Sequence, residues 1–170
     1  EGIELKELTN KPIIVLSYFD KEDHRLKNVD NISLPIYDLN TAQFLNNLGQ
    51  KRNKKYSINI KIDTGISRLG LRVEEAEEVI KKIVKKEYLK INSLYTHYAE
   101  SESADQSFTV TQYKLFKKIV DKFNLKSHSV CSAACISQSQ AQSNIIRLGI
   151  SLYGLWPSEA TRKRGEEKKI

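Results

Sequence analysis

Short runs rich in β-branched residues alternate along this chain with helical patterns, and the alternation limits the folds it can adopt. The six runs are Ile13–Ser17, Leu34–Asp38, Ser57–Asp63, Ile91–His97, His128–Cys131 and Asn144–Leu148. Strands separated by helices at this spacing predict βαβ units and a parallel sheet. The sequence has no repeat of fixed period and no low-complexity linker before the charged tail that follows Ser158. The pattern therefore predicts one α/β domain.

The helical segments are recognised by their caps and their apolar stripes. Asn40 and Thr41 can cap a helix that Gly49 closes. Two further segments carry apolar residues at helical spacing: Val73, Ala76, Val79, Ile80, Ile83 and Val84 in the first, and Phe108, Tyr113, Phe116, Ile119, Val120 and Phe123 in the second. Each stripe predicts a helix that buries one face.

The polar residues discriminate between an open doubly wound sheet and a barrel, which both fit the alternation. In Ser57–Asp63, three isoleucines share one face of the predicted strand, whereas Asn59, Lys61 and Asp63 share the other. An inward polar face is unusual in a packed sheet but is typical of the C-terminal rim of a barrel, where catalytic side chains gather. Polar residues also end other runs. The pattern therefore favours a partial TIM-type (β/α)8 barrel with one shared site.

The size and the cysteine content of the chain limit the class of protein to which it can belong. A chain of 170 residues, 39% of them hydrophobic, can bury one sizeable core. No segment approaches the ~20 consecutive apolar residues of a membrane span, and no signal-peptide pattern opens the sequence. Cys131 and Cys135 are too few for a metal site or a disulfide scaffold. We interpret them as reduced, structural residues of a cytoplasmic protein without a metal.

The net charge of +7 raises the question of nucleic-acid binding, but the distribution of the charges argues against it. One lysine cluster, between Lys81 and Lys86, ends a predicted helix whose first turn is acidic. This order complements the helix dipole and indicates a solvated helix face. The second cluster, from Arg162 to Lys169, lies in the terminal tail. Aromatic residues do not interleave with the basic residues, as a surface for single-stranded nucleic acid requires.

Three ionisable residues near predicted strand ends are candidates for ligand contact. Arg68 follows Gly65 in a tight turn, where its guanidinium could bind a carboxylate through two hydrogen bonds; an ordinary surface arginine is the alternative. Lys61 lies on the inward face, so it pairs with Asp63 or another acid, or is modified. His97 could stack on a ligand or hydrogen-bond to it, or it could be a structural histidine.

Small residues near two later strand ends suit a phosphate group. Ser132 precedes two alanines at a predicted helix start, where a hydroxyl and free backbone N–H groups could bind an anion. A plain helix cap is the alternative reading of this serine. Gly149 and Ile150 follow Arg147 and offer backbone N–H groups, with no side chain in the way at the glycine. These residues are therefore candidates for phosphate binding.

Three motifs closely resemble those of alanine racemases, the pyridoxal 5′-phosphate (PLP) enzymes that interconvert L- and D-alanine. The motifs are Lys61–Gly70 (Lys-Ile-Asp-Thr-Gly-Ile-Ser-Arg-Leu-Gly), Tyr95-Thr96-His97 and Arg147–Ser158. The opening Glu1–Leu5 and the segment Pro12–Leu16 match less specifically. The resemblance runs from Glu1 to about Ser158 and implies about six of the eight strands of the barrel.

The resemblance implies a role for each candidate residue. In the family, the arginine that matches Arg68 binds the substrate carboxylate, and the lysine that matches Lys61 is often carbamylated and steers that arginine. The histidine that matches His97 packs against the cofactor ring, and the leucine that matches Leu16 lines the cofactor pocket. The phosphate is held at the positions that match three further residues, Ser132, Gly149 and Ile150.

Among these residues, Arg147 most favours racemisation. The matching arginine of the family faces the pyridine nitrogen of PLP, and its positive charge keeps that nitrogen unprotonated. The ring is then a weaker electron sink, so the Cα proton can be removed while transamination is suppressed. Related decarboxylases of the same barrel class place an acid at this position. The resemblance thus implies that Arg147 has a catalytic role.

The chain departs from the family pattern in two respects. Cys131 stands where the family usually has an asparagine before the phosphate-binding serine. The Lys-Ala-Asn-Ala-Tyr-Gly-type motif, which carries the PLP-binding lysine, is not found among these residues, and neither is the C-terminal β-domain that carries a tyrosine base. Two-base racemisation needs both groups. We therefore expect these residues to be inactive alone.

The resemblance also predicts a domain organisation and a biological role. Residues 1–158 are expected to form a partial PLP-binding barrel, and residues 159–170 a charged linker toward a C-terminal β-domain. The parent protein is expected to be a cytoplasmic homodimer that supplies D-alanine for bacterial peptidoglycan, without a nucleic-acid or membrane partner. Two alternatives stay open: a PLP-binding barrel protein without racemase activity, as in PLP homeostasis, and a racemase for serine or another small amino acid.

Overall fold

The computed structural model of the chain describes residues 1–138 and 143–169, in which strands alternate with helices. The strands are β1 (Ile13–Ile14), β2 (Ile32–Ile36), β3 (Tyr56–Asp63), β4 (Leu71–Arg72), β5 (Leu89–Tyr95) and β6 (Ser127–His128). The helices are α1 (Gly2–Leu8), α2 (Leu39–Arg52), α3 (Val73–Val84), α4 (Ser107–Phe123), α5 (Ser132–Ser137) and α6 (Glu159–Lys168), with short 3-10 helices at His24–Asn28 and Ile150–Tyr153. Within the described ranges, no helix has the length and apolar character needed to cross a membrane.

The chain divides into two compact units, and one boundary between them lies within β5. The first unit contains Glu1–Ile62 and Leu69–Ser93, and the second contains Asp63–Arg68 and Leu94–Ile170. In the first unit the strand order is β1-β2-β3-β5, with β4 paired to β3. The pairs β1–β2 and β2–β3 are parallel. In the second unit the end of β5 pairs with β6, also in parallel.

The strands β2 and β3 form the centre of the first unit. All five residues of β2 are buried, as are the three isoleucines of β3. Burial of whole strands is typical of parallel sheets that are covered on both faces. On the predicted polar face of β3, Asn59 and Lys61 are buried and Asp63 is half-buried; Asn59 Oδ1 accepts a hydrogen bond of 2.7 Å from Ser93 Oγ on β5. This bond satisfies the acceptor of the Asn59 amide, whereas its Nδ2 has no hydrogen-bond partner among the described residues.

Helix α2 begins and ends at different residues from those that the sequence predicted. Its N-cap is Asp38, whose carboxylate accepts a hydrogen bond from the first turn, and not Asn40. The helix continues past Gly49 and ends before Asn53, which adopts the left-handed conformation with φ 48°. Gly49 is needed for close packing and not for termination, because a Cβ atom there would lie 2.6 Å from Tyr88 Cβ.

The sixth predicted strand is not formed. In Asn144–Leu148, the described structure contains one isolated parallel bridge, between Cys131 and Arg147. The apolar side chains that suggested a strand are exposed: Ile145, Ile146 and Leu148. Since burial of side chains is what stabilises a strand on a sheet, an apolar run without a covered face does not make one. The two-residue strand β4 was missed because so short a pairing leaves no periodic pattern.

Helix α6 lies where the sequence predicted a charged linker. Ser158 caps the helix through a reciprocal pair of hydrogen bonds with Thr161. Gly165 packs directly against the indole ring of Trp156, which leaves no space for a Cβ atom. The predicted linker of residues 159–170, of which residue 170 lies outside the described residues, stays a prediction as a domain boundary. Its local structure is a helix that is packed against the chain.

Hydrogen bonds also connect α6 and its N-cap to the loop before α4. Arg164 donates to the carbonyl oxygens of Ser103, at 3.0 Å, and Ala104. Ser158 Oγ donates to the carbonyl oxygen of Glu102 at 2.6 Å. These bonds supply donors to three successive carbonyl groups of one loop, of which Ser103 also accepts a hydrogen bond from Gln106 Nε2.

Candidate functional site

The predicted site residues are divided between the two units. The second unit contains most of them: Arg68, His97, Ser132, Arg147, Gly149 and Ile150. Leu16 and Lys61 belong to the first unit. Leu16 is 42% exposed, whereas Lys61 on β3 is buried. The roles expected for these two residues stay predictions.

Arg147 is held by a dense set of hydrogen bonds from the ends of β5 and β6. Its Nη1 donates to the carbonyl oxygen of His128 at 2.9 Å and lies 2.6 Å from His128 Nδ1. Its Nη2 donates to the carbonyl oxygens of Thr96 at 2.8 Å and Ser129 at 3.3 Å, and lies 3.3 Å from His97 Nδ1. The guanidinium is therefore fixed in position by three backbone carbonyls and two imidazoles.

His128 is a neutral acceptor beneath this guanidinium. A guanidinium only donates hydrogen bonds, so Nδ1 of His128 accepts from Arg147 and the ring proton is assigned to Nε2. Burial, and secondly the positive charge of Arg147, lower the pKa of His128 from 6.5 to about 4. The ring of Tyr95 stacks on the imidazole with a centroid distance of 4.9 Å and an interplanar angle of 6°. Burial lowers the pKa of Arg147 as well, but arginine keeps its charge.

Two of the predicted phosphate-binding residues lie together. The backbone N–H of Gly149 donates to Ser132 Oγ at 2.9 Å, so the hydroxyl proton of Ser132 remains available as a donor. Cys131, the N-cap of α5, makes no capping bond with its side chain, and its Sγ lies 3.2 Å from Ser101 Oγ. A Cβ atom on Gly149 would meet only Ser132 Oγ, at 3.9 Å, so the space beside this amide is open. These features fit a phosphate group.

The loop Asp63–Arg68, called the Arg68 loop below, is a tight turn held by its own aspartate. Asp63 Oδ1 accepts hydrogen bonds from the backbone N–H groups of Gly65, at 2.9 Å, and Ser67, at 3.1 Å. Gly65 and Ser67 have positive φ angles of 133° and 56°. The side chain of Arg68 is exposed, and its guanidinium makes no hydrogen bond or ion pair with the described residues. The turn thus presents a cation to its surroundings.

Sequence reasoning missed the residues that support these groups. The hydroxyls of Thr64 and Thr96 share a hydrogen bond of 2.8 Å, and Gln112 on α4 reaches the same place. Nothing in the sequence marks Gln112, because it interrupts the apolar stripe that predicted the helix. A signal for His128 was present, since it ends a β-rich run in the same way as His97.

Together, these groups can bind a ligand that carries both a phosphate and an acceptor nitrogen. Arg147 supplies a fixed donor, Ser132 and Gly149 supply a phosphate cradle, and Arg68 supplies a cation for a carboxylate. The groups that hold the Arg147 guanidinium are three backbone carbonyls and two imidazoles, and among the described residues they include no carboxylate that could protonate a ligand nitrogen. This combination is suited to an aromatic phosphate cofactor and a small anionic substrate.

Comparison with known proteins identifies the family. The model of the family described as "Alanine racemase, N-terminal domain" matches residues 1–157. An alanine racemase from Methanococcus maripaludis is 36% identical over 172 residues, which cover 96% of this chain and 46% of that relative. The chain therefore spans about half the length of the curated relatives that it matches.

Solved structures of alanine racemases have the same fold. The enzyme from Clostridium difficile 630 matches with a TM-score of 0.89 and 30% identity, over 96% of this chain and 45% of that one. The enzyme from Bartonella henselae, solved with covalently bound pyridoxal phosphate, matches with a TM-score of 0.77 and 27% identity, over 92% of this chain and 48% of that one. The predicted α/β fold class, a partial TIM-type barrel, is thereby confirmed. The chain belongs to the alanine racemase N-terminal domain family.

Proposed function

We propose that the protein containing this chain is a PLP-dependent alanine racemase that interconverts L- and D-alanine. Family membership supports the reaction class, and the solved relative from Bartonella henselae supports the cofactor. The observation that carries the proposal is the half-buried guanidinium of Arg147, which is held between the ends of β5 and β6. It is a permanent cation that is already in place before any ligand binds.

Arg147 acts as the partner of the cofactor's ring nitrogen. When bound, PLP supplies an electron sink that acidifies the Cα–H bond of an amino acid. A fixed positive charge beside the ring nitrogen disfavours protonation of that nitrogen. The ring then withdraws electrons less strongly, which favours return of the proton to Cα over transamination. His128 and the three carbonyl groups hold the guanidinium in this role, because each of its bonds would have to be broken to move it.

The phosphate group is held by Ser132, Gly149 and Ile150. Ser132 offers its hydroxyl, which the backbone N–H of Gly149 orients, and Ile150 offers its backbone N–H at the start of a 3-10 helix; Gly149 has no side chain that would block the phosphate. His97 packs against the cofactor ring, and Leu16 lines the pocket. These assignments follow the family pattern, and the convergence of Ser132 with Gly149 supports them.

The substrate carboxylate is bound by Arg68. Its exposed guanidinium can form two parallel hydrogen bonds with a carboxylate, the geometry for which arginine is suited. For Lys61 we propose the role of the carbamylated lysine of the family, an anion that orients the substrate-binding arginine. Lys61 lies on β3 and is buried, so it is not an ordinary surface lysine.

The whole protein is proposed to act as a cytoplasmic homodimer that supplies D-alanine for bacterial peptidoglycan. Racemisation removes a proton from one face of Cα and returns one to the other, so it needs two bases. The lysine and tyrosine motifs that supply these bases in the family are not found among the 170 residues. We therefore propose that these residues alone do not catalyse the reaction.

Exchange of the α-proton tests the proposal. L-Alanine is incubated in deuterated buffer with PLP and either the full-length protein or the 170-residue chain, each of verified intact mass. We expect deuterium at Cα, together with D-alanine, only with the full-length protein. L-Serine is the matched substrate control.

Each other outcome would replace part of the proposal. Exchange by the 170-residue chain would mean that a base within it replaces the lysine. Binding of PLP by the full-length protein without exchange would support a PLP-binding barrel protein. Faster exchange of serine than of alanine would reassign the substrate.

A further inference from the structure

Gln112 is a fully buried polar side chain on α4 that reaches backbone and hydroxyl groups beside two site residues. Its Oε1 accepts a hydrogen bond from the N–H of Ala99 at 3.0 Å. Its Nε2 donates to Thr64 Oγ1 at 3.2 Å and to the carbonyl oxygen of His97 at 3.4 Å. The amide thus uses both its acceptor and its donors, and the exposed fraction of the side chain is 0%.

The partners of Gln112 come from two separate segments of the second unit. Thr64 lies in the Arg68 loop, directly after β3, whereas His97 and Ala99 follow β5. A direct hydrogen bond between the hydroxyls of Thr64 and Thr96 closes the network. Gln112 therefore connects two segments by hydrogen bonds. One is the Arg68 loop, which carries the proposed carboxylate-binding arginine, and the other is the segment after β5, which carries the proposed ring-packing His97.

The same face of α4 supports the Arg68 loop at a second point. Phe108 precedes Gln112 by four residues, so the two side chains lie on one side of the helix. A Cβ atom on Gly65 would lie 2.8 Å from Phe108 Cζ and 3.7 Å from Gln112 Nε2. The loop therefore packs closely against α4, and the helix limits where the loop can lie.

A network of this kind fixes distances more strictly than apolar packing does. Apolar side chains can slide against each other, but a buried hydrogen bond is lost when its partners move apart, and the unpaired groups are then costly. If the Arg68 loop moved relative to the backbone of His97, Gln112 would lose either its bond to Thr64 or its bonds to His97 and Ala99. The distance between the Arg68 loop and the backbone of His97 therefore depends on the side-chain amide of Gln112.

We propose that Gln112 is a positioning residue, which sets the spacing between the Arg68 loop and His97 and thereby the fit of the substrate carboxylate. The inference rests on the proposed function for the roles of Arg68 and His97. Gln112 itself contacts neither substrate nor cofactor. Its effect passes through the backbone of the residues that do.

The test compares two substitutions in the full-length, PLP-loaded protein. Gln112→Met keeps the length of the side chain and removes all three hydrogen bonds, whereas Gln112→Glu keeps an acceptor for Ala99 and removes both donors. We expect kcat/KM for L-alanine to fall about 10- to 100-fold in each, mainly through KM, because small misplacements of binding groups have effects of this size. We also expect the ¹⁵N resonances of the His97 ring, assigned by their loss in His97→Gln, to shift.

Two residues of α4 provide matched controls. Thr109 is fully buried, and its hydroxyl has no hydrogen-bond partner among the described residues, so Thr109→Val should leave kcat/KM and the His97 resonances unchanged. Ile119 is buried farther along the helix, so Ile119→Val should lower the Tm by a few degrees without changing KM. The second control gives the effect of lost stability alone.

The outcomes separate the inference from the function on which it rests. If Gln112→Met lowers the Tm as Ile119→Val does and leaves KM and the His97 resonances unchanged, Gln112 is a structural residue and the inference is wrong. If the unmodified protein exchanges no α-proton, the proposed function is wrong, and the inference is judged by the His97 resonances, which require no turnover. Unchanged resonances overturn it in that case, and shifted resonances support the positioning role.

Discussion

The two arginines of the second unit are held in opposite ways. Arg147 is largely buried and donates to groups on both neighbouring strand ends, whereas Arg68 is exposed on a turn and has no partner among the described residues. A buried cation must be fully paired because an unpaired one is costly. An exposed cation can remain hydrated until an anion replaces the water. Arg147 is therefore held in one position by the fold, whereas the side chain of Arg68 can change its conformation when a ligand binds.

The turn and the strand ends also differ in what holds them. The Arg68 loop is stabilised by Asp63, which accepts two backbone hydrogen bonds from within the loop itself. The position of Arg147 depends on groups from residues far apart in sequence, including Thr96 and Ser129. A local change should therefore disturb the first arginine, and a change almost anywhere in the cluster should disturb the second.

The largest effect is expected from Arg147→Lys. Lysine keeps the charge but cannot donate to three carbonyls and two imidazoles from two fixed nitrogens, so several buried acceptors lose their partner. We expect the free energy of unfolding to fall by about 3 kcal/mol. Thermal unfolding of the full-length protein measures this loss. Arg68→Lys, at the exposed position, is the control, and an equal loss in both variants would contradict the comparison.

The pH dependence of stability tests the partner of Arg147. The pKa of His128 is about 4 in the folded state and about 6.5 when unfolded, so the unfolded state binds more protons between these values. The contribution is complete above pH 6.5 and is lost as the pH falls toward 4, by on the order of 3 kcal/mol. Denaturant unfolding at several pH values measures it. His128→Gln should flatten the curve in that window, and an unchanged slope would remove His128 as its source.

A functional effect without a stability effect is expected from Arg68→Lys. Lysine replaces a two-bond contact with a carboxylate by a single charged contact, so KM for L-alanine should rise about 10- to 100-fold. The free energy of unfolding should stay within about 0.5 kcal/mol, because the side chain is exposed. Steady-state kinetics, together with a PLP titration, make the measurement. A weaker affinity for PLP with unchanged KM would place Arg68 in the cofactor site instead.

The smallest effect is expected from a pair of glycine substitutions. Gly65 and Gly154 have positive φ angles of 133° and 74°, so alanine is strained at both, by about 1 kcal/mol. Only Gly65 also meets a neighbour, since its Cβ atom would press on Phe108. We expect Gly65→Ala to be more destabilising than Gly154→Ala and to raise KM for L-alanine. Phe108→Leu should relieve the difference in a double-mutant cycle.

The sequence predicted the elements better than the contacts between them. Five of the six predicted β-rich runs overlap strands, and the prediction is best at β2 and β3, where burial on both faces requires apolar residues. The helix start at Asp38 was displaced by two residues, since Asp38 and Asn40 are both good capping residues and only the backbone decides between them. Such errors are local and leave the fold class unchanged.

The site was predicted mainly through the family motifs. Arg147 and His97 were placed at strand ends, but the five groups that hold Arg147 come from segments 18 to 51 residues away and leave no pattern in one sequence. Gln112 was missed for a different reason, because a polar residue within an apolar stripe argues against burial unless its partners are known. The packing of Gly165 against Trp156 was also not predicted, because residues 159–168 are mostly charged and such a composition indicates an exposed segment.

The packing of α6 has a consequence for where this domain is cut. The family match ends at residue 157, yet Ser158 and Arg164 donate hydrogen bonds to the loop of residues 102–104. Hydrogen bonds that hold this loop therefore come from residues beyond the end of the family match. A protein engineer who transplanted the module at the family boundary would remove the donors to the carbonyl groups of Glu102 and Ala104, whereas Ser103 would keep Gln106 as a donor. A recombination site after α6 would keep them.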